Sequence, residues 1–184
     1  MEALATSDDG IDWDKHAEDA LDFSEIDRSK DNPFFQLKHV GGLVLDVGCS
    51  IGRWKRLLED VGYEYVGVDQ SRKALQLGKK LHSNTNFVRA YVQKLPFQPC
   101  FNLVVSIAML QHQNHDTKRI MLKQFRQILK PNGHLIMSEA TYKDKPDGWT
   151  DGRGFNINGW VKFITDEGYE LIEYLEPYFH FRRL

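Results

Sequence analysis

The stretch at 43–54 is LVLDVGCSIGRW, an apolar run and an acid followed by a short loop bounded by Gly48 and Gly52. An apolar strand running into a glycine-rich loop is a common entrance to a nucleotide-cofactor site. The dinucleotide pattern needs glycine at the first, third and sixth loop positions. Those positions hold Gly48, Ser50 and Arg53, so the pattern fails at two of three. A phosphate-cradling loop ends on Gly-Lys-Ser/Thr, whereas this one ends on Gly52-Arg53-Trp54. Asp46 has the wrong charge for a phosphate seated on a helix N-terminus. Its carboxylate suits a ligand that is positive at this point.

S-adenosylmethionine is such a ligand, with an α-ammonium, a sulfonium and no phosphate. The loop glycines let the backbone approach it closely. Asp69 lies 21 positions after Gly48 and ends the next apolar run. An acid there can accept hydrogen bonds from both ribose hydroxyls. The alternative is that Asp69 or Ser71 caps the helix that follows.

The elements that must hold these residues alternate along the chain. Short apolar runs at 43–47, 65–69, 86–88, 101–107 and 134–138 predict strands buried on both faces. Between the first two, Trp54, Leu57, Leu58 and Val61 have helical spacing, and Gly62 stops the helix. A second helix begins near Ser71, and a third covers 117–130 until Pro131-Asn132-Gly133 turns the chain. This pattern predicts a parallel sheet covered by helices. A Gly-, Asp- and Lys-rich loop, a short helix at 159–167 and two strands at 169–175 and 178–184 follow, the strands joined at Glu176-Pro177 as a hairpin. The first forty residues look like a partly helical appendage anchored by Trp13, Phe23, Phe34 and Phe35.

Taken in order, LVLDVGCSIGRW, YVGVDQS, FVRAYVQKLPF, FNLVVSIAMLQH and ILKPNGHLIM resemble the class I S-adenosylmethionine-dependent methyltransferases, in particular their small-molecule branch. The resemblance covers about residues 40 to 140. It implies an α/β, Rossmann-like fold: a seven-stranded, mostly parallel sheet with helices on both faces and a reversed last strand. The whole of 1–184 is then one methyltransferase-like domain, with 1–40 as an appendage or lid, 41–140 as the cofactor core and 141–184 on the substrate side.

The same resemblance implies the site. Asp46 would organise the loop and hold the ammonium, with Gly48 and Gly52 beside the methionine part. Ser50 stands where the family usually has glycine. Asp69 would bind the ribose, Gln70 would flank the adenine, and the Val92 N–H would serve the adenine edge. Tyr91 replaces a frequent acid, leaving it to stack or simply to pack, and Asn102 replaces another in a structural position. Ser106 and Ile107 would offer backbone carbonyls to the ammonium. His112 is the titratable group of the segment after the fourth strand, and an imidazole can act as a base near neutral pH. Its alternative role is to cap the next helix.

The acceptor is left open among O, N and C atoms of a small molecule. Trp149, Arg153 and Phe155 lie beyond the fifth strand, facing the site, while Trp13, Lys15 and His16 are placed to fold over it as a lid. Asn32-Pro33-Phe34-Phe35 is similar to the signature of enzymes that methylate adenine or glutamine, but no strand precedes it. The acid pair of arginine methyltransferases and the paired acids of metal-dependent catechol enzymes are missing, so no metal is expected. A formal charge of −2 gives no field for a nucleic-acid backbone. No apolar run reaches membrane-spanning length, and the acidic N-terminus is neither a signal nor a transit peptide. Two cysteines without metal-ligand spacing suit a reducing, cytoplasmic setting. The departures at Ser50, Tyr91 and Asn102 keep a second reading open, that of a methyltransferase-like scaffold without catalysis.

Overall fold

The computed structural model describes residues 10–21, 26–145 and 154–184. The apolar runs become β1 (Gly42–Val47), β2 (Tyr63–Asp69), β3 (Asn86–Arg89), β4 (Phe101–Ile107) and β5 (Leu129–Ser138). The hairpin supplies β6 (Tyr169–Leu175) and β7 (Tyr178–Arg183). They form one seven-stranded sheet in the order β3-β2-β1-β4-β5-β7-β6. Every pairing is parallel except the two made by β7, which runs against both β5 and β6. The expected mostly parallel sheet with its reversed last strand is therefore present.

Side chains alternate across the pleat, so each central strand feeds two cores. Val44, Leu103, Val105 and Ile136 pack on one face with Leu57 and Leu58 of α1 (Lys55–Asp60). Phe34, fully buried, joins them from a 3-10 turn at Pro33–Gln36 that Asn32 caps by accepting the Phe34 N–H at 3.0 Å. The Asn-Pro-Phe-Phe stretch is thus a packing anchor against Trp54 and Tyr178. On the other face Leu45, Val47 and Val104 meet Met121, Leu122 and Phe125 of α3 (His115–Ile128) and Trp160 of α4 (Ile157–Thr165). The remaining helix, α2 (Arg72–Leu81), is N-capped by Ser71, whose Oγ accepts the Ala74 N–H at 3.0 Å.

The structure shifts several sequence boundaries, among them α4, which starts at Ile157 behind an Asn156 cap rather than near Gly159. α3 begins at His115, because Asn114 caps it by accepting the Thr117 N–H at 2.9 Å, and it ends at Ile128. β5 begins at Leu129, so it contains Pro131-Asn132-Gly133. Leu129 pairs with Phe101 and His134 with Leu103, and the surplus residues bulge out with Asn132 at φ 59°. The turn residues do turn the chain, but inside a strand rather than before it. Asn102, at this irregularity, accepts from the Leu43 N–H at 3.2 Å and from Lys130 Nζ at 3.0 Å, which is a structural task.

β5, β7 and β6 are also joined by a half-buried polar chain. His180 lies 2.9 Å from Glu173 Oε1 through Nδ1 and 2.6 Å from His134 Nδ1 through Nε2. With both rings neutral the donors line up: His134 Nδ1–H to His180 Nε2, and His180 Nδ1–H to Glu173, which also accepts the Lys38 N–H at 2.9 Å. Burial, then the neighbouring His180 and Arg182 charges, push His134 down to about 4. The folded state therefore binds fewer protons than the unfolded chain between about pH 6.5 and 4. Stability is complete above that window and falls as the pH drops through it, by about 1–2 kcal/mol once partial solvent access is allowed for. Urea titrations across this range should show the slope, and His134→Gln should flatten it.

Candidate functional site

The chain lays β1, β2 and β3 toward one edge and then crosses back to place β4 and β5 on the other side of β1. The loops leaving β1 and β4 diverge, and an open α/β sheet takes its ligand in that crevice, outside the carboxyl ends of its strands. A cavity of about 350 Å³ lies there. Its walls are Gly48, Ser50 and Arg53 after β1, Asp69 and Gln70 at the end of β2, and Val92 and Gln93 after β3. Ile107, Ala108, Met109, His112 and Gln113 close it after β4.

The loop after β1 makes its turn with three left-handed residues: Gly48 at φ 71°, Ser50 at 51° and Gly52 at 81°. A side-chain-bearing residue pays about 1–2 kcal/mol for this conformation. At Ser50 a hydrogen bond offsets it, from the Ser50 N–H to Asp69 Oδ2 at 2.8 Å. The other oxygen, Oδ1, accepts the Ser71 N–H at 2.8 Å. Asp69 thus holds both the loop and the start of α2 while lining the cavity, so the capping and ligand-facing readings are not exclusive. Burial pushes its carboxyl upward, against the N–H bonds from Ser71 and Ser50. At Gly48 a Cβ would stand 2.8 Å from Met109 Cγ, so the absent side chain is what leaves room between the two loops.

Not every sequence-predicted residue reaches the cavity wall. Asp46, 2% exposed, sits behind the loop and accepts the Tyr65 hydroxyl at 2.7 Å. Burial pushes it up to about 7 despite that bond. Gly52 packs its turn on Phe87, whose Cζ a Cβ would approach to 2.7 Å. Ser106 is fully buried in β4, and its hydroxyl donates to Glu139 at 3.4 Å. Tyr91 is half-buried ahead of the 3-10 turn Val92–Lys94 and does not line the cavity. Phe155 stacks on His115 at 4.9 Å within the core beside α4. Trp149, Arg153 and Phe23 lie outside the described residues.

Residues 10–21 lie across the cavity, to which Trp13, His16, Ala17 and Ala20 contribute. Asp14 pins this strap by accepting from Ser71 Oγ at 2.6 Å and the Lys73 N–H at 3.2 Å, and the Ser71 bond holds its carboxyl below the usual range. Ala17 packs with Ile51 and Ala74. Trp13 meets His112 edge to face at 5.0 Å. Lys15 points away, 81% exposed and paired with Asp12.

Sequence reasoning missed Asp14, Tyr65, Arg53 and Glu139. Of these only Glu139 had a readable signal, as an acid directly after the apolar end of β5. Its carboxylate is 6% exposed and accepts the N–H groups of Met109 at 3.3 Å, Leu110 at 3.0 Å and Gln111 at 3.0 Å. Burial raises it to about 7 against those bonds.

No helix among the described residues is long and apolar enough to cross a membrane. Residues 44–133 match the family model described as methyltransferase domain. The ubiquinone biosynthesis O-methyltransferase of Bradyrhizobium diazoefficiens is 29% identical over 155 residues, covering 76% of this chain and 58% of that protein. The demethylmenaquinone methyltransferase of Thermotoga maritima is 26% identical, covering 66% of this chain and 53% of its own. The chain spans about half to three-fifths of the length of such relatives. Among solved structures, the Burkholderia thailandensis 1,6-didemethyltoxoflavin-N1-methyltransferase, crystallised with 1,6-didemethyltoxoflavin and S-adenosylhomocysteine, superposes with a TM-score of 0.71 at 16% identity. That overlay covers 93% of this chain and 85% of the other and speaks for the fold. With the switch-point crevice, the glycine turn and the acid ending β2 all set in the matched segment, the chain belongs to the class I S-adenosylmethionine-dependent methyltransferase superfamily.

Proposed function

We propose that this protein binds S-adenosylmethionine in the switch-point cavity and transfers its methyl group to an O, N or C atom of a small-molecule acceptor. The observation that carries the reading is Asp69, a buried carboxylate on the cavity wall that also holds the left-handed glycine loop in place. The cavity fits such a ligand: its size is that of a small-molecule site, and Gly48 keeps the backbone of one wall bare.

In this reading Asp69 accepts from the ribose hydroxyls, Gln70 flanks the adenine and the Val92 N–H meets its edge. Gly48 and Ser50 line the methionine part, Gly52 sets the turn, and the Ser106 and Ile107 carbonyls face the ammonium. Asp46 supplies negative potential from behind the loop, and a cation arriving nearby favours its ionised form. The cofactor brings an already activated methyl carbon, so alignment does most of the work. His112, on the wall below Trp13, takes a proton where the acceptor must lose one. Relatives named for ubiquinone biosynthesis and for demethylmenaquinone support an acceptor of small-molecule size. The same reading makes 1–184 one domain with 1–40 as its lid, places it in the cytoplasm, and gives it neither a membrane nor a nucleic-acid partner.

Calorimetric titration of S-adenosylhomocysteine into the purified chain tests this. Micromolar, one-to-one binding is the expected result. Absence of binding overturns the proposal and favours the scaffold reading.

A further inference from the structure

The floor of the cavity is a length of irregular backbone. Between the end of β4 and the cap of α3, residues 108–114 contain no strand and only the short 3-10 turn Leu110–His112. Ala108 sits at φ 52°, a left-handed conformation that a residue with a Cβ adopts at a cost. This loop supplies four wall residues, Ala108, Met109, His112 and Gln113, and along it the His112 N–H donates to the Met109 carbonyl at 3.2 Å and the Gln113 N–H to that of Leu110 at 3.0 Å. Three of its N–H groups, those of Met109, Leu110 and Gln111, donate to the side chain of Glu139 instead of along the loop.

Glu139 follows the last residue of β5, so the strand delivers its carboxylate directly beneath the turn. One oxygen takes the Met109 and Leu110 N–H groups and the Ser106 hydroxyl, and the other takes the Gln111 N–H. A second clasp runs the opposite way, with the Ala140 N–H donating to Gln111 Oε1 at 2.6 Å. Ala140 in turn accepts from Trp160 Nε1 at 2.9 Å, which links the clasp to α4. A carboxylate gathering three successive backbone N–H groups behaves as an anion in a backbone nest, with the usual roles of ligand and protein reversed.

We infer that Glu139 is the positioning residue of the cavity floor: its buried carboxylate fixes the backbone of Met109–Gln111 and so sets where Ile107, Ala108 and His112 stand against the bound ligand. This inference rests on the cofactor reading for its functional consequence, though not for its structural half. Glu139 does not itself line the cavity and touches no ligand.

The test compares the wild-type chain with Glu139→Gln, which keeps the shape but offers one acceptor oxygen in place of two, and with Glu139→Ala. Amide hydrogen exchange over 107–113 is read without ligand, followed by S-adenosylhomocysteine affinity. Exchange at Met109–Gln111 should quicken at least tenfold in Glu139→Gln and further in Glu139→Ala, while β1 and β2 keep their protection. Affinity should fall about tenfold in Glu139→Gln, with larger loss in Glu139→Ala. Unchanged exchange in Glu139→Gln overturns the inference, as does faster exchange with unchanged affinity. If Glu139→Ala fails to fold, the glutamine variant decides alone. A wild-type chain that binds no ligand refutes the cofactor reading, and the exchange measurement still decides whether Glu139 holds the floor.

Discussion

Replacing Asp69 with alanine is expected to weaken S-adenosylhomocysteine binding by at least a hundredfold. Two effects combine. The first is direct, since hydrogen bonds to a charged acceptor contribute about 1.5–3 kcal/mol each and two ribose hydroxyls are available. The second is local. Without the carboxylate, the Ser50 and Ser71 N–H groups lose partners at 2.8 Å, and Ser50 loses the bond that holds it at φ 51°. Asp69→Asn separates the two, because its single amide oxygen can keep one of the backbone bonds. It should fold nearly as well as wild type and still bind at least tenfold more weakly. Calorimetry and urea unfolding on the three proteins give the comparison. Binding by Asp69→Ala within threefold of wild type would remove this residue from the site.

Trp160→Ala is expected to cost about 3–5 kcal/mol of stability, the range for deleting a large buried ring. Trp160 is fully buried, packs against Phe155 at 4.9 Å and Phe163 at 6.4 Å, and donates its indole N–H to the Ala140 carbonyl. The cavity left behind adjoins the end of β5, so the loss should also reach the clasp between Ala140 and Gln111. Trp160→Phe keeps an aromatic ring but loses the hydrogen bond and part of the buried volume, so it should cost less than the alanine variant, about 1–3 kcal/mol. Urea midpoints measure both. A cost below about 1 kcal/mol for the alanine variant would mean that α4 is not anchored through this ring.

The sheet was legible because its strands are buried on both faces and therefore appear as unbroken apolar runs. The residues at the ends of those runs were legible for the same reason: Gly48 and Asp69 stand where a strand must stop. Pro131-Asn132-Gly133 misled because breaker residues predict an end, and only the register between β4 and β5 reveals that a strand can carry them as a bulge. Glu139 is legible as an acid after an apolar strand, but the clasp it makes is hidden for a different reason. Its partners are backbone N–H groups, which every residue but proline has, so no pattern of side chains announces them. The same holds for Asp14, whose contact with Ser71 spans 57 positions and depends on a polar segment with no periodicity. Nothing in the spacing around Asp46 indicates that the Tyr65 hydroxyl donates to it, or that burial raises its carboxyl to about 7 against that bond.

β6 has a single hydrogen-bonded neighbour, and that neighbour is β7, which is inserted between it and β5. β6 therefore has nothing to pair with unless β7 is already seated, and β7 cannot leave β5 without taking β6 off the sheet with it. When β7 opens the pair leaves together, and an edge segment of this kind is expected to open at a lower free energy than the central strands. Each such opening uncovers the free edge of β5, a template on which a strand from another molecule can pair. Loss of the hairpin thus exchanges the β6 edge for a β5 edge, at the end of the sheet farthest from β3, while β1 and β2 stay paired with each other.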